Sequence, residues 1–201
     1  MVAGFCRKLV GVRKTLGGLP LAVALTLVAC AHVPELGRDL APASGFALTA
    51  RLAVRTGTEG FTGGLRWVHA PQAQRLSISS PLGQIVAEIE WAQAEATLRL
   101  PDRQVHAPDL GLLMQREMGW ALPIEGLSDW VQGRPRPGQA FEADRNALGR
   151  LEALRQDGWN IEYPAYFEDG DAKGKPRRLV LRHSETELRL VIDRWASSEN
   201  P

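Results

Sequence analysis

The chain has 201 residues, 24 basic and 23 acidic side chains for a net charge of +1, 44 % hydrophobic residues and cysteines only at 6 and 30. That balance supplies no basic face for nucleic acid, and the cysteine count excludes a disulfide framework. The length beyond Cys30 suits one domain, which at this size buries roughly 68–70 % of its unfolded surface.

The chain opens with Arg7, Lys8, Arg13 and Lys14 and has no acidic residue before Cys30. Leu19 through Val28 is almost wholly apolar, and small Ala29 precedes the cysteine. A positive start, a short apolar core and a small residue before a cut form a secretory signal. The Leu27-Val28-Ala29-Cys30 ending resembles the bacterial lipobox, in which the cysteine is acylated and becomes the first mature residue. A transmembrane helix fits less well, because the run is about half the ~20 residues a bilayer requires. A secretory signal cut elsewhere, with Cys30 an incidental thiol, is the other reading. The expected organisation is a signal peptide over 1–29, a tether over 30–44 (with Pro34, Gly37, Pro42 and Ser44) and one domain over 45–201. Losing the leader leaves a mildly acidic mature chain.

The domain opens with strand patterns. Phe46, Leu48, Ala50, Leu52 and Val54 alternate with more polar neighbours over ten residues, the period of a strand with one buried face. Phe61, Leu65 and Trp67 continue after an expected turn at Gly60. Leu76 and Ile78, then Ile85, Ala87, Ile89 and Trp91, then Leu98 and Leu100, mark further short strands. Gly and Pro punctuation at close spacing gives an antiparallel meander.

The period then changes. Asp109 is placed to cap a helix carrying Leu110, Leu113, Met114 and Glu117 or Met118, ended by Gly119 and Pro123. Ile124, Leu127, Trp130 and Val131 mark a second short helix, stopped by Gly133 and Pro135. Strands resume near Leu148. Asp157-Gly158 between Leu151–Gln156 and Trp159–Tyr163 is a two-residue hairpin signal. Arg177–His183 and Glu187–Trp195 close the chain as a hairpin around Ser184. The fold expected is mainly β with α: a curved sheet or unclosed antiparallel barrel, helices over its opening, and an apolar pocket between the layers.

No catalytic or metal signature stands out. Histidines 32, 69, 106 and 183 are dispersed, and neither HExxH nor G-x-S-x-G occurs. No enzyme activity, cofactor or metal is expected. Ser80-Pro81-Leu82-Gly83 joins two strands, and spacing alone leaves open whether Leu82 folds onto the core or stands out as an apolar wedge. The residues by themselves also admit a lipid-anchored scaffold with a packed interior, or an anchored hydrolase.

The Ala-Arg-Leu-Ala-Val strand at 50–54, Ser-Pro-Leu-Gly at 80–83, Leu122-Pro123 before Leu127-x-x-Trp130-x-x-Gly133, Gln156-Asp157-Gly158-Trp159-x-Ile161-x-Tyr163, and Val191-Ile192-Asp193-x-Trp195 occur in order. Together with the lipobox they resemble the outer-membrane lipoprotein receptor family LolB, over about residues 45–195. Ala50 departs from that family's more frequent glycine before the arginine, which puts a bend in that strand in question. The resemblance implies a lidded half-barrel with a hydrophobic cavity. It implies acceptance of client lipoproteins from the periplasmic carrier LolA and their release into the inner leaflet of the outer membrane, by a monomer anchored through Cys30. Ala31, rather than Asp, after the cysteine agrees with outer-membrane sorting. The exposed leucine of the family's Pro-Leu-Gly loop maps to Leu82. The residues expected to line the acyl-chain cavity are Trp67, Ile89, Trp91, Leu98, Leu113, Met114, Ile124, Leu127, Trp130, Trp159, Ile161 and Leu190.

Overall fold

A computed structural model describes residues 45–92 and 95–196. Cys30 and the expected signal peptide and tether lie outside the described residues. The described residues form eleven strands: β1 (Phe46–Thr56), β2 (Glu59–Ala70), β3 (Ala73–Ser79), β4 (Ile85–Ala92), β5 (Glu95–Arg99), β6 (Gln104–Ala107), β7 (Phe141–Arg145), β8 (Leu151–Gln156), β9 (Trp159–Tyr166), β10 (Pro176–His183) and β11 (Thr186–Trp195). Helices α1 (Leu110–Met118) and α2 (Ile124–Trp130) fall between β6 and β7.

All strands form one antiparallel sheet in the order β6-β5-β4-β3-β2-β1-β11-β10-β9-β8-β7. Strands β6 and β7 are its edges and do not pair with each other, so the barrel is unclosed. The chain between those edges carries both helices, which turn their apolar sides onto the sheet's inner face.

Alternation decides that face. Leu52 pairs with Leu190 and Val54 with Leu188, while Leu65 faces both Ala50 and Ile78. Leu76 faces Ile89, Ile89 faces Leu98, and Ile161 faces both Leu181 and Leu154. These side chains are almost wholly removed from solvent. A slip of one residue would turn each row toward water, so burial fixes the register.

Several details differ from the sequence reading. The β1–β2 reversal occurs at Gly57 (φ +56), and Gly60 lies inside β2. Gly63 is needed there because an added Cβ would stand 2.0 Å from the Ser79 carbonyl oxygen. Strands β6 and β7 carried no recognisable alternation: both are short edges with largely exposed or half-buried side chains. The β1–β11 register shifts between Thr49 and Ala50. Asp193 is the extra residue opposite it and accepts from Arg51 at 3.0 Å. The expected hairpin at Asp157-Gly158 is present, with φ of +51 and +78.

Candidate lipid-binding site

Helix α1 starts where Asp109 accepts a hydrogen bond from the Leu112 amide at 2.8 Å. It ends at Gly119 in the left-handed conformation (φ +78), whose amide donates to the Gln115 carbonyl. Its inner side presents Leu110, Leu113 and Met114. Helix α2 has seven residues and no side-chain cap, and it buries Ile124, Leu127 and Trp130. Gly126 lets the Trp130 ring fold back across the helix, since an added Cβ would lie 2.3 Å from that ring.

Gln156, a buried residue of β8, fastens α2 and the following loop to the sheet. Its Oε1 accepts from Trp130 Nε1 at 2.9 Å and from the Arg136 amide at 2.8 Å. Its Nε2 donates to the Arg136 carbonyl at 2.9 Å and the Gln139 carbonyl at 3.4 Å. The Tyr163 hydroxyl adds a bond to the Trp130 carbonyl at 3.1 Å. A buried amide with every partner in place holds one geometry, because leaving any of these groups unpaired is costly.

Two pockets open at the margins of this lid, the first with a mixed polar and apolar lining and the second mainly apolar. The first, about 320 Å³, is lined by Trp91, Leu110, Leu122, Ile124, Trp130 and Trp159, among others. At its rim Arg136 pairs with Glu125 of α2 at 3.0 Å and with Asp157 of the β8–β9 hairpin at 3.3 Å. The second, about 600 Å³, lies at the far end of α1 against Val54, Phe61, Val86, Leu100, Met118 and Trp120. There Phe61 and Trp120 stack with ring centroids 5.8 Å apart. Hydrogen bonds from Arg103 and then Arg116 hold the Glu117 carboxyl, at this pocket's edge, below its ordinary range. Both volumes fall in the range of roughly 300–1,000 Å³ typical of ligand pockets. Among the described residues no group of His, Cys, Asp and Glu is arranged to hold a metal.

Of the twelve expected lining residues, Trp91, Ile124, Trp130 and Trp159 border the first pocket. Trp67, Ile89, Leu98, Leu113, Met114, Leu127, Ile161 and Leu190 are buried on the facing surfaces of lid and sheet and border neither pocket. Alternation marks a side chain as inward but not whether space or another side chain lies beyond it. The second pocket's Phe61, Val86, Met118 and Trp120 were absent from the expected lining. Val86 is displaced to it by a bulge, visible as the register shift opposite Ile78 and Ser79, which no alternation pattern reveals.

Leu82 stands out from the protein. Pro81-Leu82-Gly83 is a three-residue loop in which the Gly83 amide donates to the Ser80 carbonyl at 2.9 Å and the Ser80 amide to the Gln84 carbonyl at 2.8 Å. Gly83 takes φ +83, the position such a loop reserves for glycine. Leu82 is 89 % exposed and Ile85 beside it is 52 % exposed.

Residues 44–195 match the family model described as outer membrane lipoprotein LolB. The chain is similar to the outer-membrane lipoprotein LolB of Cupriavidus pinatubonensis, 37 % identical over 195 residues that cover 90 % of this chain and 94 % of the relative. It is 35 % identical to that of Thiobacillus denitrificans over 181 residues, covering 88 % and 95 %. A crystal structure of a LolA superfamily protein from Nitrosomonas europaea superposes with a TM-score of 0.51, covering 81 % of this chain and 90 % of the other at 10 % identity, a likeness of fold.

Proposed function

The chain belongs to the family of the outer-membrane lipoprotein LolB, and from that premise we propose that it takes lipoproteins from the periplasmic carrier LolA and inserts them into the inner leaflet of the outer membrane. It is an outer-membrane lipoprotein receptor. Acyl chains of the client enter between sheet and lid, and no covalent chemistry is involved. The protein works as a monomer facing the periplasm, held by acyl groups on Cys30.

The observation that carries this reading is the apolar inner face of an eleven-stranded sheet, covered by two helices of nine and seven residues with a pocket at each margin. Burying an acyl chain is worth ~0.8 kcal/mol per methylene. Three long chains released bare into water would cost tens of kcal/mol, so hand-over has to run from one apolar surface to the next. The direction follows a rising affinity from carrier to receptor to bilayer. Leu82 supplies an exposed hydrocarbon tip to lead the client into the membrane.

Reconstituted transfer tests the proposal. Purified carrier loaded with a labelled lipoprotein should pass its load to this protein without added nucleotide, and label that stays on the carrier overturns the reading. Leu82→Glu should leave carrier-to-receptor transfer intact and impair insertion into liposomes; wild-type insertion by that variant removes the role from Leu82. Cys30→Ala should yield a soluble periplasmic form. The dense packing of eight expected lining residues also suits an anchored scaffold that never opens. A fluorescent fatty-acid analogue separates the two, since only a receptor binds it and releases it to lipoprotein.

A further inference from the structure

Two turns of this protein are built alike and stand at opposite ends of the sheet. In the β7–β8 turn the Gly149 amide donates to the Asn146 carbonyl and the Asn146 amide to the Arg150 carbonyl, each at 2.9 Å. This is the bonding of the Ser80–Gln84 turn. Ala147-Leu148-Gly149 thus repeats Pro81-Leu82-Gly83, with Gly149 at φ +75 and Gly83 at φ +83. The middle residue is leucine in both, and Leu148 is 73 % exposed. Neither turn requires leucine there, and exposed hydrocarbon at a loop tip stabilises nothing in the isolated fold. Because successive strands reverse direction, the Leu82 turn lies where β1 ends and the Leu148 turn where β1 begins.

The Leu148 end has a distinctive composition. The Arg150 guanidinium lies 5.3 Å from the Tyr166 ring centroid, Lys175 Nζ 4.5 Å from that of Trp195, and the Arg177 guanidinium 5.7 Å from that of Phe167. Trp195 is buried and Tyr166 and Phe167 are half-buried, so these rings seat the cations, while exposed Leu148 is the group that can meet hydrocarbon and the cations those that can reach anionic phosphates. Glu168 is already paired with Arg150 at 2.9 Å. Asp169 and Asp171 share the β9–β10 loop, so the attraction supplements the leucine rather than replacing it. The chain itself also points here. Strand β1 begins at Phe46 at this end, and only residues 31–44 separate the first described residues from Cys30.

We propose that the Leu148 end is a second membrane contact: it docks on anionic lipid headgroups of the bilayer that holds the acylated Cys30, with Leu148 at the acyl boundary and Lys175 and Arg177 against phosphates. This rests on the reading of Cys30 as the anchor. Leu82 lies on the other rim of the sheet, so Leu148 and Leu82 are separate contacts. Delivery through Leu82 then follows release of Leu148, so the two leucines engage in turn.

The mature lipidated protein has no free thiol, since Cys6 leaves with the leader and Cys30 is acylated. Ala147→Cys therefore accepts a single environment-sensitive fluorophore beside an intact Leu148. In proteoliposomes of phosphatidylethanolamine and phosphatidylglycerol the label should be shielded from water and quenched by a lipid-borne quencher. The signal should weaken at high salt or when phosphatidylcholine replaces phosphatidylglycerol. Adding Leu148→Glu should cut the docked-to-free ratio by about tenfold or more. A label on Leu82→Cys should stay water-exposed until loaded carrier is added. The proposal is overturned if the Ala147→Cys label stays in water, or becomes shielded only when the carrier is present, which would make the contact a protein one. Failure of the anchor reading is separately visible, because the protein would then not float with the vesicles.

Discussion

Gln156→Ala should loosen the lid by removing the hydrogen bonds that tie α2 and the loop after it to β8. Gln156 is 3 % exposed and makes three hydrogen bonds of 2.8–2.9 Å and a fourth of 3.4 Å. Each ordinary hydrogen bond contributes about 0.5–1.5 kcal/mol net, and a buried donor left unpaired costs about 1–3 kcal/mol. Three good bonds, with Trp130 Nε1 left buried and unpaired, give a loss of about 3 kcal/mol. At about 2–4 °C per kcal/mol for a domain of this size, Tm should fall by about 6–12 °C. Urea unfolding followed by tryptophan fluorescence measures the change, and the midpoint should fall with the slope unchanged. The freed lid should also admit a fluorescent fatty-acid analogue faster. A loss below about 0.5 kcal/mol would refute the clamp, because such a value is expected for a surface side chain. Gln156→Glu is a sharper control, since a carboxylate cannot donate to the Arg136 and Gln139 carbonyls. Burial raises the folded pKa of the introduced carboxyl above its unfolded value of about 4.3. Its stability is then fully present below that value and lost as pH rises through the folded pKa.

Gly126→Ala sets helix propensity against packing. Alanine gains about 1 kcal/mol in a helix, but its Cβ would meet the Trp130 ring at 2.3–2.7 Å. Displacing a buried indole costs about 1–3 kcal/mol, so thermal melts should show net destabilisation with altered tryptophan emission; a higher Tm would contradict the contact. Tyr163 and Tyr166, the protein's two tyrosines, are both raised by burial, Tyr166 to about 12 and Tyr163 further. Native protein should therefore show almost no tyrosinate absorbance at pH 10–11. The unfolded chain ionises near 10 while the folded state keeps its protons, so stability is lost as pH rises above 10. Half-ionisation at pH 10 without unfolding would refute that burial. Gly83→Ala, with open space around its Cβ but φ +83, should cost about 1 kcal/mol through strain alone.

Where a single physical cause operates, the sequence carried the structure. Phe46–Val54 alternate because one side of β1 is buried, and Asp109 and Gly119 bound α1 because a helix leaves orphan amides and carbonyls. Asp157-Gly158 turns because both positions take positive φ. What stayed illegible depends on distant partners. Val86 lines a pocket only because β4 bulges against β3, and Gln156 is a clamp only because the loop after α2 returns to β8. Neither has a local signature. The likeness of Leu148 to Leu82 was hidden for a related reason: Arg-Asn-Ala-Leu-Gly-Arg and Ser-Ser-Pro-Leu-Gly-Gln share only Leu-Gly, and their equivalence lies in backbone hydrogen bonds.

The packed space beneath the lid bears directly on how a receptor could both hold and release hydrocarbon. Helices of nine and seven residues are too short to persist alone in water, so α1 and α2 exist by virtue of the side chains they bury. Leu113, Met114, Leu127 and Trp130 against Ile89, Leu98 and Ile161 are contacts of the same kind as those an acyl chain would make. An entering chain that buries about ten methylenes gains ~8 kcal/mol, while lifting the lid exposes several side chains worth about 1.5–3 kcal/mol each. The two terms are of similar size and opposite sign. A preformed empty cavity would bind with the full gain and surrender its client only to a much stronger competitor. A lid that fills its own cavity returns most of that gain on closing, which suits the proposed passage of clients to the bilayer.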